Sequence, residues 1–324
     1  MAGASSFLKL IGAMAGSLAI YFAASALLLN KPVSYDSITR LMDRKLTHAR
    51  SLTGPKLVLI GGSGVRTSHR CDVLGPALNT PCTNGGATVG LGLNYLFEAY
   101  EGVLKPGDVV YLPLEYQQYT MTRAALLTGP DAAILFRKDW GQLARRGTEG
   151  FARAAFMADI NYIAQSAIEQ ALAAAGVRAR FDKQTNNALG DQTGLTHEAG
   201  LTYDAAIASS RWRPPTADQI RTATGGKEEI AHFLDWCRAN GVTVIGGLPV
   251  AFDRPRVSDE LIAELRAFYG AHGATLIVMD NRSQYPRDYF YDTPFHLEEA
   301  HALAHSKRLV PTLQAALPSR PAQR

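Results

Sequence analysis

A serine set between glycines, in Gly61-Gly62-Ser63-Gly64, is the first group in the chain whose type and setting suggest chemistry. Glycine on both sides permits a tight turn and a close approach of substrate to the hydroxyl. A serine hydroxyl is a weak nucleophile until a base takes its proton, so a histidine is needed nearby. His296, in Tyr291-Asp292-Thr293-Pro294-Phe295-His296-Leu297, is the candidate base. Asp292 is close enough along the chain to accept one imidazole N–H and fix the tautomer, which leaves the other ring nitrogen for Ser63. His69, shortly after the serine turn, is a second candidate base. The structural alternatives for Ser63 are a small residue at a tight connection or a phosphate-cradling loop. The segment fits neither G-x-G-x-x-G nor the lysine-bearing P-loop pattern.

Other reactive or polar groups lie near the same kind of turn. Asn84-Gly85-Gly86 precedes a helix-like stretch and offers backbone N–H groups, with Asn84 as a candidate substrate contact. Glu115 follows an apolar run, either as a substrate contact or as a buried carboxylate bracing the site, and Tyr116 beside it is a possible hydrogen-bond donor. His301 and His305 are four apart, a spacing that can hold a metal on one helical face. No third ligand accompanies them and there is no H-E-x-x-H, so no metal and no cofactor are expected, and the two read as partly solvated helix residues. Trp212, between Arg211 and Arg213, reads equally as a stacking surface for a sugar or as an apolar anchor. Asp253 and Arg254 line the site or form a plain loop. Cys71 and Cys82 bracket a short loop; a bridge between them would require an oxidising compartment, although such spacing also arises by chance. Cys237 reads as buried and free.

Positioning these groups falls to a regular alternation. Short apolar runs at Lys56–Ile60, Val109–Leu114, Val242–Ile245 and Thr275–Met279 are interleaved with helical patterns at Val89–Tyr100, Glu228–Asn240 and Asp259–His272. A last helix covers Leu297–Ala316, with a kink or break expected at Pro311. This pattern predicts an α/β domain with a central parallel sheet covered on both faces, a three-layer α/β/α arrangement. Function in such sheets gathers at the carboxyl ends of the strands, where Ser63, Glu115 and the Asp292–His296 segment leave theirs. Between residues 119 and 241 the alternation lapses. Ile160–Ala175 is a helix there, and the region reads as a mainly helical insertion over the sheet, a lid or substrate-facing subdomain.

At the N-terminus, Leu10–Leu29 carries no charge. About 20 apolar residues of helix cross a hydrocarbon core about 30 Å thick. Lys9 precedes the run and Asn30-Lys31-Pro32 closes it. A signal peptide cleaved near Ala23-Ala24-Ser25-Ala26 and a buried soluble helix are the alternatives to an anchor. The expected division is a membrane anchor with flanks at 1–32, a juxtamembrane helix or linker at 33–55 that lifts the domain off the bilayer, a catalytic domain at 56–318 containing the insertion 119–241, and a tail at 319–324. Lys31, Arg40, Arg44 and Lys45 follow the run while Lys9 alone precedes it, so the positive-inside rule by itself keeps the large domain in the cytoplasm.

Composition removes several classes. Among 324 residues, 33 Lys+Arg against 29 Asp+Glu give a net charge of +4, too mild to argue for nucleic acid. An apolar share of 47% excludes a disordered chain. Three cysteines exclude a disulfide scaffold and form no paired zinc pattern.

Taken together, Gly62-Ser63 after the first run, Asn84-Gly85-Gly86 before the first helix and the Asp292…His296 pair before the last helix resemble the SGNH (GDSL-like) hydrolase superfamily. The closer likeness is to its membrane-anchored branch associated with acylation of extracellular polysaccharides and cell-wall polymers. It is carried by GGSG, KPGDVVYLPLEY and YDTPFHLEEA, over residues 56–118 and 242–316. The resemblance implies an SGNH/flavodoxin-like fold with Ser63 as nucleophile, His296 as general base and Asp292 as its orienting acid. It also implies an oxyanion hole in which the N–H of Gly86, or of its neighbour Gly85, joins that of Ser63. Two positions depart from the family pattern. Three residues, Thr293, Pro294 and Phe295, separate Asp292 from His296 where the family has two, and Leu114-Glu115-Tyr116 stands where an asparagine completes the hole. Tyr116 then donates in its place, or backbone N–H groups serve alone.

The function that the resemblance implies is a membrane-anchored, serine-dependent acyltransferase that O-acetylates an extracytoplasmic polysaccharide through a Ser63 acyl-enzyme. The expected partners are a polysaccharide or acyl-ester substrate and a multi-spanning membrane acyl donor, with no nucleic acid. The expected location is the cell inner membrane, single-pass, with the large domain facing the periplasm or exterior. The alternatives are an anchored carbohydrate esterase, and a catalytically silent glycan-binding or assembly protein with the same fold.

Overall fold

The structure, a computed structural model, describes residues 2–29, 33–127, 134–135, 140–156, 160–177 and 184–318. The Asn30-Lys31-Pro32 closure of the apolar run, the tail 319–324 and parts of the insertion lie outside the described residues. The chain divides into two compact units, one of residues 1–39 with 130–183, the other of residues 40–129 with 184–324.

The larger unit is built on five parallel strands, β1 (Leu57–Leu59), β2 (Cys82–Asn84), β3 (Val109–Leu112), β4 (Thr243–Gly247) and β5 (Thr275–Ile277), in the spatial order β2-β1-β3-β4-β5. Leu57 pairs with both Cys82 and Val109, Leu112 with Gly246, and Ile245 with Thr275. Strands β1, β3, β4 and β5 fall on the four apolar runs that the sequence predicted, while β2, Cys82-Thr83-Asn84, is a buried strand without such a run. Helices that cover the sheet or carry the candidate site are α3 (Ser63–Ser68), α4 (Cys71–Ala77), α5 (Leu93–Glu101), α6 (Tyr116–Thr120), α7 (Gly226–Ala239), α8 (Asp259–Ala271) and α9 (Glu299–Ala316).

Side chains alternate across the pleat, so each strand feeds two cores. Leu57, Leu59, Val109, Tyr111, Ile245 and Ile277 pack with Cys71 and Leu74 of α4 and Leu309 and Leu313 of α9. On the opposite face α8 lays Tyr269 over Gly246, where a Cβ would stand 2.6 Å from the ring. The Tyr269 hydroxyl is shared with Tyr119 at 2.8 Å. The sheet's leading end is tied by a buried ion pair, Lys56 with Asp108, and Asp108 also accepts the N–H groups of Lys56 and Lys105.

Several expectations need correction. The stretch Val89–Tyr100 is split into a 3₁₀ turn, Val89–Leu91, and α5, because Gly92 between them has φ +91°. Helix α9 runs through Pro311 without a break. In chain order, the helix α2 (Val33–Ser51) follows α1 (Ala2–Leu29), and the boundary between the units falls within α2. Its second half is no spacer: Leu41, Met42, Lys45 and Ala49 are buried, and Lys45 donates to the carbonyls of Asn84 at 2.7 Å and Gly190 at 2.5 Å. The insertion is not one body over the sheet. Residues 130–183 group with α1, and 184–241 belong to the sheet-bearing unit. Ile160–Ala174 is helical, as expected. Of α1, the segment Ser5–Ala24 is long and apolar enough to cross a membrane, and none of it is buried.

The Lys56–Asp108 pair yields a direct test. Lys56→Met leaves Asp108 buried without its cation, and loss of one partner of a buried pair costs about 3–5 kcal/mol. Urea unfolding should show a fall of that order, with Lys105→Met, which keeps the backbone N–H donor, near wild type.

Candidate active site

Ser63 opens α3, directly after β1, and Glu115 follows β3. From β1 the chain crosses first to β2 on one side and then to β3 on the other, so the ends of β1 and β3 flank the point where the winding reverses. A crevice forms at such a point because the connections leave in opposite directions. Glycine is required here on steric grounds. A Cβ on Gly62 would lie 2.5 Å from Glu115 Oε1, and one on Gly86 would lie 2.4 Å from the backbone nitrogen of Arg66 in α3.

His296 and Asp292 meet as the sequence predicted. His296 Nδ1 and Asp292 Oδ1 are 2.6 Å apart, and the three intervening residues form a turn closed by His296 N–H to Thr293 O at 3.3 Å. The extra residue is therefore absorbed locally. This segment is clamped onto α3 by Ser68, whose hydroxyl donates to Phe295 O and accepts the Leu297 N–H, each at 2.9 Å. Those two bonds flank His296 and place it against the helix that begins at Ser63. No hydrogen bond links Ser63 Oγ to His296 in this structure; the Ser63 hydroxyl lies against the Glu115 carboxylate.

Glu115 is 2% exposed and is a bracing group, not the substrate contact expected. Its Oε1 accepts the Gly64 N–H at 2.8 Å and its Oε2 accepts from Gln117 at 3.1 Å, while its own N–H donates to Gln118 Oε1 at 3.0 Å. Burial raises the carboxyl above its ordinary value. The Gly64 N–H, the neighbouring His296 and Arg66 side chains and the Ser63 hydroxyl oppose that shift only in part.

Asn84 and Gly86 also require correction. Asn84 is fully buried and its amide is wholly engaged. Nδ2 donates to Val65 O at 3.1 Å, His69 O at 2.8 Å and Asp191 Oδ1 at 3.1 Å, and Oδ1 accepts the Gly86 N–H at 3.0 Å. It cannot contact substrate, and the Gly86 N–H is committed to Asn84 rather than offered to an oxyanion. The Gly85 N–H is likewise bound, to Leu59 O at 2.7 Å. Tyr116 OH is buried and makes no hydrogen bond, so nothing in the structure engages it with Ser63.

His69 is turned away from the serine hydroxyl. Its Nε2 faces His305 Nε2 at 3.3 Å, and His305 Nδ1 meets Tyr285 OH at 2.8 Å. Burial lowers His69 to about 4 and His305 well below its ordinary range. His305 is thus a core residue rather than a solvated one, and His301 stacks on Tyr289 instead of sharing a ligand with it. Trp212 is half-buried among Tyr116, Phe252 and Phe295, with ring centres 6.2–6.5 Å away. Asp253 and Arg254 sit on an exposed loop. Cys71 and Cys82 are disulfide-bonded, joining α4 to β2, and Cys237 is buried and free. A cavity of about 250 Å³ lies between α2 and residues 186–190, lined by Arg44, Lys45 and Asn186 among others, and holds none of the candidate catalytic residues.

Two residues that sequence reasoning missed support this arrangement. Ser68 carries no pattern that distinguishes it from any helix serine. Asp191, fully buried, accepts from Cys71 N–H at 2.8 Å, Asp72 N–H at 3.2 Å and Asn187 Nδ2 at 2.9 Å, yet it lies in a stretch without periodicity. Comparison with protein-family models, with curated proteins and with solved structures finds no match to this chain.

Two outcomes follow from these contacts. Ser68→Ala leaves Phe295 O and Leu297 N–H unpaired in a buried site, at a cost of about 1–3 kcal/mol, measurable by denaturant unfolding. For Glu115, the unfolded carboxyl ionises near its ordinary value of 4.5 while the folded one ionises higher. Wild type therefore loses stability as pH rises from below 4.5 through the folded value. Glu115→Gln lacks that titration, so its stability relative to wild type should improve as pH rises from 4.5 through the folded value. A constant difference across that window would contradict the assigned shift.

Proposed function

We propose that this chain is a membrane-anchored serine acyltransferase with an SGNH-like, flavodoxin-like domain, acting on an extracytoplasmic polysaccharide. The observation that carries the reading is the Asp292–His296 pair at 2.6 Å, held by Ser68 against the helix that starts at Ser63. The strand order β2-β1-β3-β4-β5 and the convergence of Ser63 and Glu115 at its reversal support the same fold. The Cys71–Cys82 bridge and the apolar α1 support a domain outside the cytoplasm, since such bonds persist in oxidising compartments. They outweigh the lysine and arginine count at the anchor, which is a bias with exceptions.

In the proposed reaction Ser63 Oγ attacks the carbonyl carbon of an acyl ester, and His296 takes the hydroxyl proton as Asp292 holds its Nδ1–H. The tetrahedral intermediate collapses with that proton passing to the leaving alcohol, which leaves the acyl group on Ser63. A sugar hydroxyl, deprotonated by His296, then attacks the ester and restores the serine. The Ser63 N–H, on the first turn of α3, is a donor for the oxyanion because first-turn N–H groups have no partner within their helix. Glu115 stands where the family places an asparagine. Kept neutral by burial, its carboxyl has an O–H to donate beside Ser63; ionised, it repels the developing charge. The direct Ser63–His296 hydrogen bond forms only with substrate present, as catalytic bonds often tighten on binding.

The test uses the full chain in detergent with a chromogenic acetyl ester, and intact mass to detect an acetylated serine. Ser63→Ala should abolish both turnover and the mass gain, and His296→Ala should slow acylation by about a hundredfold or more. A sugar acceptor that accelerates release of the acetyl group supports transfer, and fast release to water alone supports an esterase. A wild type that neither turns over nor gains mass would overturn the serine mechanism in favour of a silent scaffold.

A further inference from the structure

The unit containing α1 carries a surface that is wrong for water. From Ala164 onward, its helix Ile160–Ala174 buries Ser166 and leaves its large apolar side chains exposed. Ser166 is 1% exposed and Glu169 and Gln170 are half-buried, while Ile168 is 61% exposed and Leu172 47%. Ala164, Ala167 and Ala171 are exposed too, and with Ile168 and Leu172 they recur at the three- and four-residue steps of one helical stripe. Residues 160–177 contain no lysine or arginine, and Glu169 is their one charge, bonded by Gln165 at 2.9 Å. Phe156, 55% exposed, lies against Tyr21 and Phe22 of α1. An exposed apolar surface of this extent marks a binding face.

The surface adjoins α1, whose own side chains are equally bare: Phe7 is 63% exposed and Ile20 73%. Ile160–Ala174 packs on α1, the Tyr21 hydroxyl donates to Ala155 O at 3.3 Å, and the Tyr21 ring stacks on Phe156 at 5.5 Å. Tyr21 lies close to Ala24, the end of the candidate span, within about 5 Å at a rise of 1.5 Å per residue. That is the depth of the boundary between headgroups and acyl chains, where tryptophan and tyrosine concentrate and where amphipathic helices seat their apolar faces.

We infer that residues 140–156 and 160–177 form a lipid-seated module, with the Ile168–Leu172 stripe in the bilayer boundary at the C-terminal end of the α1 span. The occupant is lipid because the stripe is continuous with a helix that is itself in lipid, and this inference rests on reading α1 as a span. That part of the insertion then serves as a second membrane attachment.

Depth-dependent quenching tests it on the full chain reconstituted in phosphatidylcholine vesicles with brominated acyl chains. Single cysteines at Ile168→Cys, Leu172→Cys, Ile20→Cys in α1 and Glu228→Cys on exposed α7 carry an environment-sensitive fluorophore. The native cysteines stay silent because two are bridged and Cys237 is buried. Labels at 168 and 172 should be quenched at least twofold more than the label at 228, and to a similar degree as the label at 20. If 168 and 172 match 228 while 20 is quenched, the surface faces water or awaits a protein partner, and the inference is overturned. If the label at 20 is also unquenched, the span reading itself fails and takes this inference with it.

Discussion

A single buried amide, Asn84, holds the candidate site together. Helix α3 is too short to persist alone, since an isolated helix of this length gains too few hydrogen bonds to offset its nucleation. Asn84 grips the carbonyls of Val65 and His69 in and after that helix, Asp191 pins Asn84 from the other side, and the Gly86 N–H completes the amide's bonding. Each of these polar groups is out of water, so losing any one strands the others. The residues that look like oxyanion donors are consequently part of the frame that aims α3. Ser68 transmits that aim to His296, so the placement of the candidate base depends on the same frame as the placement of the serine.

Glu115 is the second constraint. A carboxylate enclosed beside a serine and facing a histidine is costly when ionised, and its raised proton affinity expresses that cost. Gly62 and Gly64 allow the close approach, since a Cβ at either would stand 2.5 Å or 3.2 Å from Glu115 Oε1. The sheet topology creates the meeting by bringing the ends of β1 and β3 together at the reversal of winding. The chemistry proposed for Ser63 therefore depends on the protonation state of a group that sits behind it.

The division of the chain gives α2 a role in both units. Its second half is interior to the sheet-bearing unit, where Lys45 satisfies the carbonyls of Asn84 and Gly190 and where burial lowers its proton affinity. The same strand end that positions α3 is thus bonded to the helix that follows α1. Residues 130–183 group with α1, and within them the helix Ile160–Ala174 leaves Ile168 and Leu172 exposed.

Much of this was legible in the residues themselves. Apolar runs of four or five residues between helical patterns determined the parallel sheet, because burial on both faces demands unbroken hydrophobic strands. The Asp292–His296 pairing was legible because four residues of chain cannot carry the two groups far apart, and the disulfide was legible as one of two readings. What tertiary structure alone decided is the use of each polar group. Asn84, Gly86 and Glu115 looked like donors and contacts facing a substrate, but whether a polar atom faces solvent or another group depends on partners that folding brings in, such as Asp191 for Asn84 and Gly64 for Glu115. Local sequence carries no trace of them: Ser68 and Asp191 sit in no motif. The inverted helix at Ile160–Ala174 shows the same limit, since periodicity reveals that a helix has two faces and only packing decides which one is turned inward.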